Sequence, residues 1–383
     1  MIFSFIISFI VGFIYPVFFH SEEMYFPRYV PSEGNLGSDL YATFTMVNGG
    51  VLPYPPLAII IFRLFSLLPI NIAFKIITTI SLILLFLLCF LIIPKTSKNN
   101  NIFVSTFIFI TLLTSYGFQF ELQRGQWNFI CIFLIYFSLL LFKNGNKNLS
   151  VVFFSLAVHL KVYPLIFIIL FIDDFSSVKK NIIHILKIVM FNLVLVLLIG
   201  VDVHIKFLKN IFEFANLPYM WKGNHSISSF VSMVNDNILN IHYLSQGLYL
   251  IYFICLLIVL VISFRMKLHF YNKYVLFLLT VGTLIIPSVS HDYTLPLITL
   301  ALLYFILNSK TIFKAGFGAI YMGLISIIFF THYSYTNYMG LFEYFFLNKF
   351  LLLFSSALLV TCLCIKEYRE FSKEIFKQKR NIL

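Results

Sequence analysis

Long apolar runs separated by short polar segments make up most of this chain. Runs long enough for a helix to cross a bilayer lie near residues 1–19, 71–93, 182–200, 246–264, 315–331 and 348–365, and shorter ones lie near 102–115, 127–142, 274–287 and 293–307. Within 149–172 the sequence KVYP at 161–164 interrupts the apolar pattern, which predicts two tilted or half-depth helices that meet at a non-helical break. The pattern therefore predicts an all-α, polytopic membrane protein of about twelve transmembrane helices.

The apolar run from Leu57 to Leu68 decides the topology. It carries Arg63 and lies between prolines at 55–56 and 69, and a crossing here would invert every later loop. The lysine clusters would then face outward, against the positive-inside rule. We therefore interpret this run as a short re-entrant or interfacial helix, one of the short juxtamembrane helices of the first outer loop.

Composition and charge agree with this topology. The chain is 60% hydrophobic and 11% charged, values that suit a protein dissolved in lipid better than a soluble one. The predicted cytosolic segments carry 17 basic and 5 acidic residues, a surplus that equals the whole net charge of +12. Nucleic acid is therefore not needed to explain the charge, and the lipid bilayer is the expected partner.

The predicted organisation is a single transmembrane domain, 1–365, followed by a basic amphipathic cytosolic tail, 366–383. The large outer loops are 20–70 and 201–245, and 116–126, 161–164, 288–292 and 332–347 are further outer segments. Ten of the fifteen acids lie on the outer side, so chemistry is expected there. The five cysteines all lie in apolar runs and are expected in the core, and we expect no metal and no cofactor.

The first outer loop contains a candidate catalytic acid, Asp39. Glycines at 37, 49 and 50 and the sequence YPP at 54–56 surround it, and a carboxylate held near the bilayer could accept a proton from a hydroxyl nucleophile. Asp is also a favoured N-cap residue, and Asp39 would serve as one for a helix that starts at Leu40. Spacing alone leaves both roles open.

Two basic motifs could bind a phosphorylated sugar. In QRGQWN at 123–128, Arg124 suits phosphate and the amides of Gln126 and Asn128 suit sugar hydroxyls, although Trp127 and Arg124 could instead belong to an interfacial belt. Lys161 lies at the break in 149–172, where an ionisable residue indicates function and could neutralise a leaving phosphate. A lysine that snorkels from a helix end is the alternative there.

Two more outer segments carry candidate polar groups. WKGNHSI at 221–227 contains Lys222, Asn224 and His225, which could close over an acceptor or could simply form a solvated loop. SVSHDY at 288–293 places His291 next to Asp292. That pair could relay protons or bind phosphate, although the side chains of adjacent residues usually diverge.

In this order, the motifs resemble those of GT87, a family of polyprenol-phosphate-mannose-dependent mannosyltransferases. DLY at 39–41, GG at 49–50 and YPPL at 54–57 resemble its first outer loop, GQWN at 125–128 its Gly-Gln-x-Asn helix start, and KVYP at 161–164 its Lys-x-x-Pro break. NHS at 224–226 and SHD at 290–292 follow in matching order. One departure is Trp127, which stands where the family usually has a small aliphatic residue.

The resemblance implies a GT-C-type fold and an inverting transfer of a sugar, with mannose as the family default. The donor would be a polyprenyl-phosphate-linked sugar, and the acceptor a hydroxyl of a glycan or glycolipid. It implies Asp39 as the general base. The resemblance further implies Lys161 and His291 as phosphate or proton partners. Together with the motif residues discussed above, the predicted donor phosphate and sugar site is Arg124, Gln126, Asn128, Lys161 and His291, and Tyr54, Lys222, Asn224 and His225 are candidate acceptor or lid residues.

Abundant Lys and Asn with few Ala suggest a bacterial source. The expected location is therefore the bacterial inner membrane, with the active site on the periplasmic or outer face. Two other classes stay open. A polysaccharide polymerase or ligase should carry arginines in its large outer loop, whereas 201–245 has three lysines and no arginine. A multispan transporter should show paired broken helices in two related halves, and the sequence shows no such symmetry.

Overall fold

A computed structural model describes residues 54–97, 101–113, 115–172, 178–215, 223–237, 243–309 and 349–380. Regular secondary structure in these residues is helical, apart from an isolated antiparallel bridge between Asn224 and His291. Asp39 and Lys222 lie outside the described residues, as do the predicted spans at 1–19 and 315–331.

Most of the described helices follow the predicted apolar runs, and three others lie in segments predicted as outer loops. The α-helices are α1 (Pro56–Phe65), α2 (Ile70–Leu87), α3 (Ile93–Thr96), α4 (Ile102–Leu113), α5 (Tyr116–Arg124), α6 (Asn128–Lys143), α7 (Lys147–Leu160), α8 (Val178–Ile199), α9 (Val201–Ala215), α10 (Ile227–Asn237), α11 (Leu244–Arg265), α12 (Lys273–Ile285), α13 (Pro296–Leu307) and α14 (Phe350–Arg380). A π-helical turn, Leu88–Ile92, joins α2 to α3, and 3₁₀ helices cover Tyr163–Phe171 and Asp292–Thr294.

Four segments of the described chain are long and apolar enough to cross a membrane. They are Ile72–Thr96, Val178–Ile199, Leu244–Arg265 and Phe350–Glu374, and each coincides with one of the long apolar runs in the sequence. Shorter apolar helices, such as α6, α12 and α13, pack between them, and α12 is buried along its whole length. The chain is therefore an all-helical membrane protein in its described part, and the full set of twelve crossings stays a prediction.

Two local predictions are confirmed. The short helix expected at Leu57–Leu68 is α1, whose 10 residues span about 15 Å, only half of a bilayer core. The helical break expected near 161–164 is also present, because Lys161 is extended (φ −147°, ψ 148°) at the end of α7. Pro164 then lies in the first turn of the 3₁₀ helix, where its missing N–H costs least.

The predicted C-terminal tail is helical as far as Arg380. α14 continues from Phe350 to Arg380 without a break at residue 365, because the sequence between them has no Gly or Pro to end the helix. The ammonium of Lys273 lies 3.0 Å from Glu367 Oε2, and the Tyr274 hydroxyl also donates to this carboxylate. These contacts anchor the beginning of the tail to the N-terminal end of α12.

The cysteine prediction needs one correction. Cys89, Cys131, Cys255 and Cys364 are buried as expected, but Cys362 is exposed. Cys362 and Cys364 are two positions apart on α14, so they point to different sides of the helix. An exposed cysteine on an apolar stretch of a candidate span is compatible with a side chain that faces lipid.

Candidate active site

The turn between α5 and α6 carries the glutamine-rich motif of the sequence. Gly125 takes a left-handed conformation (φ 67°) at the end of α5, which costs glycine little. The N–H groups of Gly125 and Gln126 donate to the carbonyls of Leu122 and Glu121, both at 3.1 Å, the pattern of a Schellman motif. The turn therefore aims Gln126 into the interior just before α6 begins at Asn128.

Tyr54, Gln126 and Lys161 come together from three distant parts of the sequence, and we call them the amide–lysine cluster. Lys161 Nζ donates to Gln126 Oε1 at 2.7 Å, and Gln126 Nε2 donates to the Tyr54 hydroxyl at 3.0 Å. Lys161 Nζ also lies 5.1 Å from the centre of the Tyr54 ring, within range of a cation–π interaction. In the described part of the chain, Lys161 forms no ion pair with an acid.

Arg124 and His291 border this cluster through aromatic side chains. The Arg124 guanidinium lies over the Phe120 ring at 5.7 Å, and Phe120 packs against Tyr293 with ring centres 5.7 Å apart. Tyr293 contacts His291 at 5.3 Å and lies 6.0 Å from Lys161 Nζ. Two cations and an imidazole from separate segments thus share one half-buried surface around Tyr293.

His291 is neutral over the ordinary pH range. Burial and, to a smaller extent, the neighbouring His225, Arg124 and Lys161 lower its pKa, Asp292 opposes them, and together they bring the pKa from the usual 6.5 to about 4. An uncharged imidazole can donate one hydrogen bond and accept another. His291 can therefore orient a phosphate or hydroxyl, but it adds no positive charge to the site.

Asn128 does not lie on the surface that the other motif residues share. It is fully buried at the first position of α6, beside the carboxyl group of Glu121, which is also fully buried. Glu121 Oε1 accepts the N–H of Phe129 at 3.0 Å. The burial of Asn128 favours support of the helix start over direct contact with a sugar.

Trp127 belongs to the core and not to an interfacial belt. Its side chain is 4% exposed, and its ring centre lies 4.7 Å from that of Phe62 and 5.8 Å from that of Phe65. The large indole at this position therefore fastens α1 to the start of α6. This contact also places Tyr54, which packs on Phe62 at 5.4 Å, next to Gln126.

Asn224 fixes the loop that carries His291. Its amide donates to the Ser288 carbonyl at 2.9 Å and accepts the N–H groups of Ser290 at 2.8 Å and Ser226 at 3.2 Å. Asn224 and His225 are fully buried. These side chains are held in place by the loop at 288–290, which favours a positioning role over the predicted lid.

A buried polar chain lies behind that loop. Ser290 Oγ is 3.0 Å from His225 Nε2, His225 Nδ1 is 3.4 Å from Asp292 Oδ1, and Lys349 Nζ donates to Asp292 Oδ2 at 2.9 Å. Burial lowers the pKa of His225, and Lys349 contributes in the same direction against the opposing effect of Asp292. As expected for adjacent residues, Asp292 points away from His291 and pairs with His225 and Lys349.

Three residues of this region escaped the sequence reasoning as individual groups: Glu121, Tyr293 and Lys349. Asp292 was considered with His291, but its contacts with His225 and Lys349 were not expected. Two of the three carried a readable signal. Glu121 is the single acid in the segment 116–126, and Lys349 is a charged residue inside a predicted span, which indicates a partner or a function. Tyr293 gave no such signal, because aromatic residues are abundant throughout the chain.

The membrane helices and the cation-lined cluster point to an enzyme that handles an anionic substrate at a bilayer. The sequence profile of glycosyltransferase family 87, GT87, matches residues 52–290. Since this match covers more than half of the chain, the protein belongs to that family and is a membrane glycosyltransferase. A comparison with curated proteins found no match. The matched range contains Tyr54, Gln126 and Lys161 but begins after Asp39.

Family membership sets aside the multispan transporter, one of the two alternative classes, because a glycosyltransferase binds a sugar donor and an acceptor. The polysaccharide polymerase or ligase, which also transfers sugar units, stays open. Among the described residues, no three His, Cys, Asp or Glu side chains gather into a group that could hold a metal ion.

Proposed function

We propose that the protein moves a sugar, with mannose as the first choice, from a polyprenyl-phosphate donor to a hydroxyl of a glycan or glycolipid. The reaction takes place on the periplasmic or outer face of a bacterial inner membrane, within a GT-C-type fold. The observation that carries this proposal is the amide–lysine cluster beside Arg124. Lys161 and Arg124 are cations and suit a phosphate. The neighbouring amide and aromatic groups suit a sugar.

The charge of the cluster supports a phosphorylated donor. Lys161 has one ammonium hydrogen donated to Gln126, so further donors can serve a phosphate oxygen. A phosphodiester donor carries one negative charge and gains a second when the sugar leaves. Cations held in a partly dry site stabilise that developing charge more than water does.

The proposed chemistry is an inverting displacement at the anomeric carbon. The acceptor oxygen forms the new glycosidic bond while the bond between the anomeric carbon and the phosphate oxygen breaks. Asp39 accepts the hydroxyl proton, and the phosphate leaves with the electron pair towards Lys161 and Arg124. General-base catalysis of this kind contributes about 100- to 10,000-fold.

The acceptor side of the site is proposed to involve Tyr54 and Lys222. Tyr54 is half-buried, and its hydroxyl accepts a hydrogen bond from Gln126, so the hydroxyl can still donate its own hydrogen to an acceptor. His291 can orient a hydroxyl or phosphate as a neutral group. Asn224 and His225 contribute by holding the His291 loop.

Sugar transfer from polyprenyl-phosphate-mannose tests the proposal. Membranes with matched amounts of wild-type protein, Asp39→Asn or Asp202→Asn are compared; Asp202 is an exposed acid on α9 and serves as the control. Transfer by the wild type and by Asp202→Asn, with loss in Asp39→Asn, supports both the donor class and the base. Equal transfer by all three would remove Asp39 from its role. No transfer from several polyprenyl-phosphate sugars would overturn the donor class.

A further inference from the structure

Glu121 lies against the proposed phosphate site but does not face solvent. The side chain is fully buried, and Oε1 accepts the N–H of Phe129 at 3.0 Å. In the described part of the chain, its other oxygen, Oε2, has no well-formed hydrogen bond, and the side chain of the neighbouring Asn128 lies close enough to act on this carboxyl group. A fully buried carboxyl group with an incompletely bonded oxygen is unusual in a folded protein.

The surroundings of Glu121 favour its uncharged form. Phe118 and Phe129 stack edge to face at 4.9 Å beside it, and an ionised carboxylate in such apolar surroundings costs several kcal/mol unless it is paired. A protonated carboxyl can donate a hydrogen bond to a neighbouring carbonyl oxygen, such as that of the Asn128 amide, whereas an ionised carboxylate can only accept. Ionisation would remove that donor.

Lys161 acts on Glu121 through its charge but does not pair with it. Lys161 is close enough for its charge to lower the pKa of Glu121, yet its ammonium donates to Gln126 instead. An ionised Glu121 would attract Lys161 and so compete with a phosphate for its positive charge. It would also repel the negatively charged phosphate across the side chains that separate them.

On these grounds, we propose that Glu121 is kept as a neutral carboxylic acid. Because Glu121 then carries no negative charge, the positive charge of Lys161 is available to the donor phosphate, whose binding here rests on the proposed function. Glu121 is thus a positioning residue that acts through its neighbours. Its protonation sets the charge of the site without contact between Glu121 and the substrate.

The balance of effects on Glu121 agrees with this assignment. Burial raises the pKa of Glu121 more than the hydrogen bond from Phe129, the charge of Lys161 and the Asn128 groups lower it, and the resulting pKa is about 8 compared with an ordinary 4.5. Other titratable groups that influence the same pocket are Cys131 on α6 and Tyr163 on the 3₁₀ helix. Arg124 on α5, with His291 and Tyr293 on the facing loop, completes the charged and titratable surroundings.

Infrared spectroscopy tests the protonation state without any substrate. Purified wild-type protein, Glu121→Gln and Glu213→Gln are titrated between about pH 6 and 9.5, a range centred on the pKa given above. Glu213 is an exposed acid on α9 and controls for the loss of one carboxyl group. We expect a carbonyl band of a protonated acid that disappears near pH 8 in the wild type and in Glu213→Gln, and that is missing in Glu121→Gln. Identical spectra for all three proteins would overturn the proposal.

Binding of polyprenyl monophosphate tests the consequence for the site. Affinity should weaken about tenfold in the wild type as Glu121 ionises between about pH 7 and 9, and Glu121→Gln should bind with little pH dependence. The same pH dependence in both proteins would show that Glu121 does not control the charge at Lys161. If the infrared band is present but no protein binds the lipid phosphate, the proposed function fails and the neutral acid stands.

Discussion

Lys161 Nζ lies 2.7 Å from Gln126 Oε1, a contact between residues that are 35 positions apart in the sequence. The break after α7 leaves Lys161 extended, and the left-handed Gly125 turns Gln126 towards it. Two irregular points of backbone therefore create the contact. Irregular backbone at membrane depth is tolerated where it is buried in protein or lines a cavity, so the site lies where the helices are interrupted.

The first prediction concerns the charge of Lys161. Lys161→Gln keeps a polar side chain but removes the ammonium, and hydrogen bonds to charged groups contribute about 1.5–3 kcal/mol. We therefore expect kcat/KM for a polyprenyl-phosphate sugar to fall about 10- to 100-fold. Lys161→Arg should keep more activity because it preserves the charge.

Lys209→Gln is the matched control, because Lys209 is an exposed lysine on α9. Its kinetics should equal those of the wild type. Equal kinetic constants for Lys161→Gln and Lys209→Gln, with both proteins folded, would remove Lys161 from the phosphate site.

The second prediction concerns the close approach of α5 to the His291 loop. A Cβ added at Gly117 would lie 2.7 Å from the Asp292 carbonyl oxygen and 3.1 Å from Pro296. Gly117→Ala must push this loop away, and overpacking of this kind costs about 1–3 kcal/mol. Thermal unfolding in detergent should show the lower stability, and sugar transfer should fall because His291 and Tyr293 move.

Gly247→Ala provides the comparison for that substitution. Gly247 lies in α11 with no atom within 4 Å of an added Cβ, so alanine should be neutral or stabilise the helix by up to about 1 kcal/mol. If Gly117→Ala behaved like Gly247→Ala in both assays, the packing of α5 against Asp292 would not matter for the site.

The third prediction concerns the buried pair of Asp292 and Lys349. Both side chains are at most 2% exposed, and removal of one partner from a buried pair typically costs about 3–5 kcal/mol. Asp292→Asn and Lys349→Met should each lower the unfolding temperature strongly. The double variant should lose less stability than the two single variants lose together, because no unpaired charge is then left buried. Additive losses would mean that the two residues do not interact.

The fourth prediction concerns acid stability. Unfolded His291 takes up a proton below about pH 6.5, whereas burial keeps the folded side chain neutral down to its pKa of about 4. The unfolded state therefore binds more protons, and folded stability falls as the pH drops through this window. Thermal unfolding from about pH 7 to 4.5 should show a smaller loss for His291→Gln than for the wild type. Parallel curves would contradict the lowered pKa.

Most of the fold in the described residues could be predicted from apolar periodicity, because lipid imposes helices wherever the chain is apolar for long enough. The length of α1 followed from prolines at 55–56 and 69, and the break at Lys161 followed from the proline at 164. Hydropathy predicts where the chain passes from lipid to water near residue 365, but it does not predict whether the helix continues through that point. Helix propensity, not hydropathy, decides whether the backbone bends there.

The candidate site could be predicted only in part, for a physical reason. Arg124, Gln126 and Lys161 belong to local motifs, and each motif places its own side chain at a helix end. Lys349 partners Asp292 from 57 positions away, and that contact depends on how α14 packs beside the His291 loop. A single sequence carries no signal for such pairing. The burial of Asn128 and Glu121 likewise arises from tertiary packing that their motif does not encode.

The most direct test of the account is a comparison of donors for the purified protein in liposomes. Radiolabelled mannose is supplied either as polyprenyl-phosphate-mannose or as a nucleotide-linked mannose, with the same glycan or glycolipid acceptors. The account predicts labelled product from the lipid-linked donor alone, and a strong reduction of that product in Lys161→Gln. Product from the nucleotide-linked donor, with none from the lipid-linked one, would contradict it.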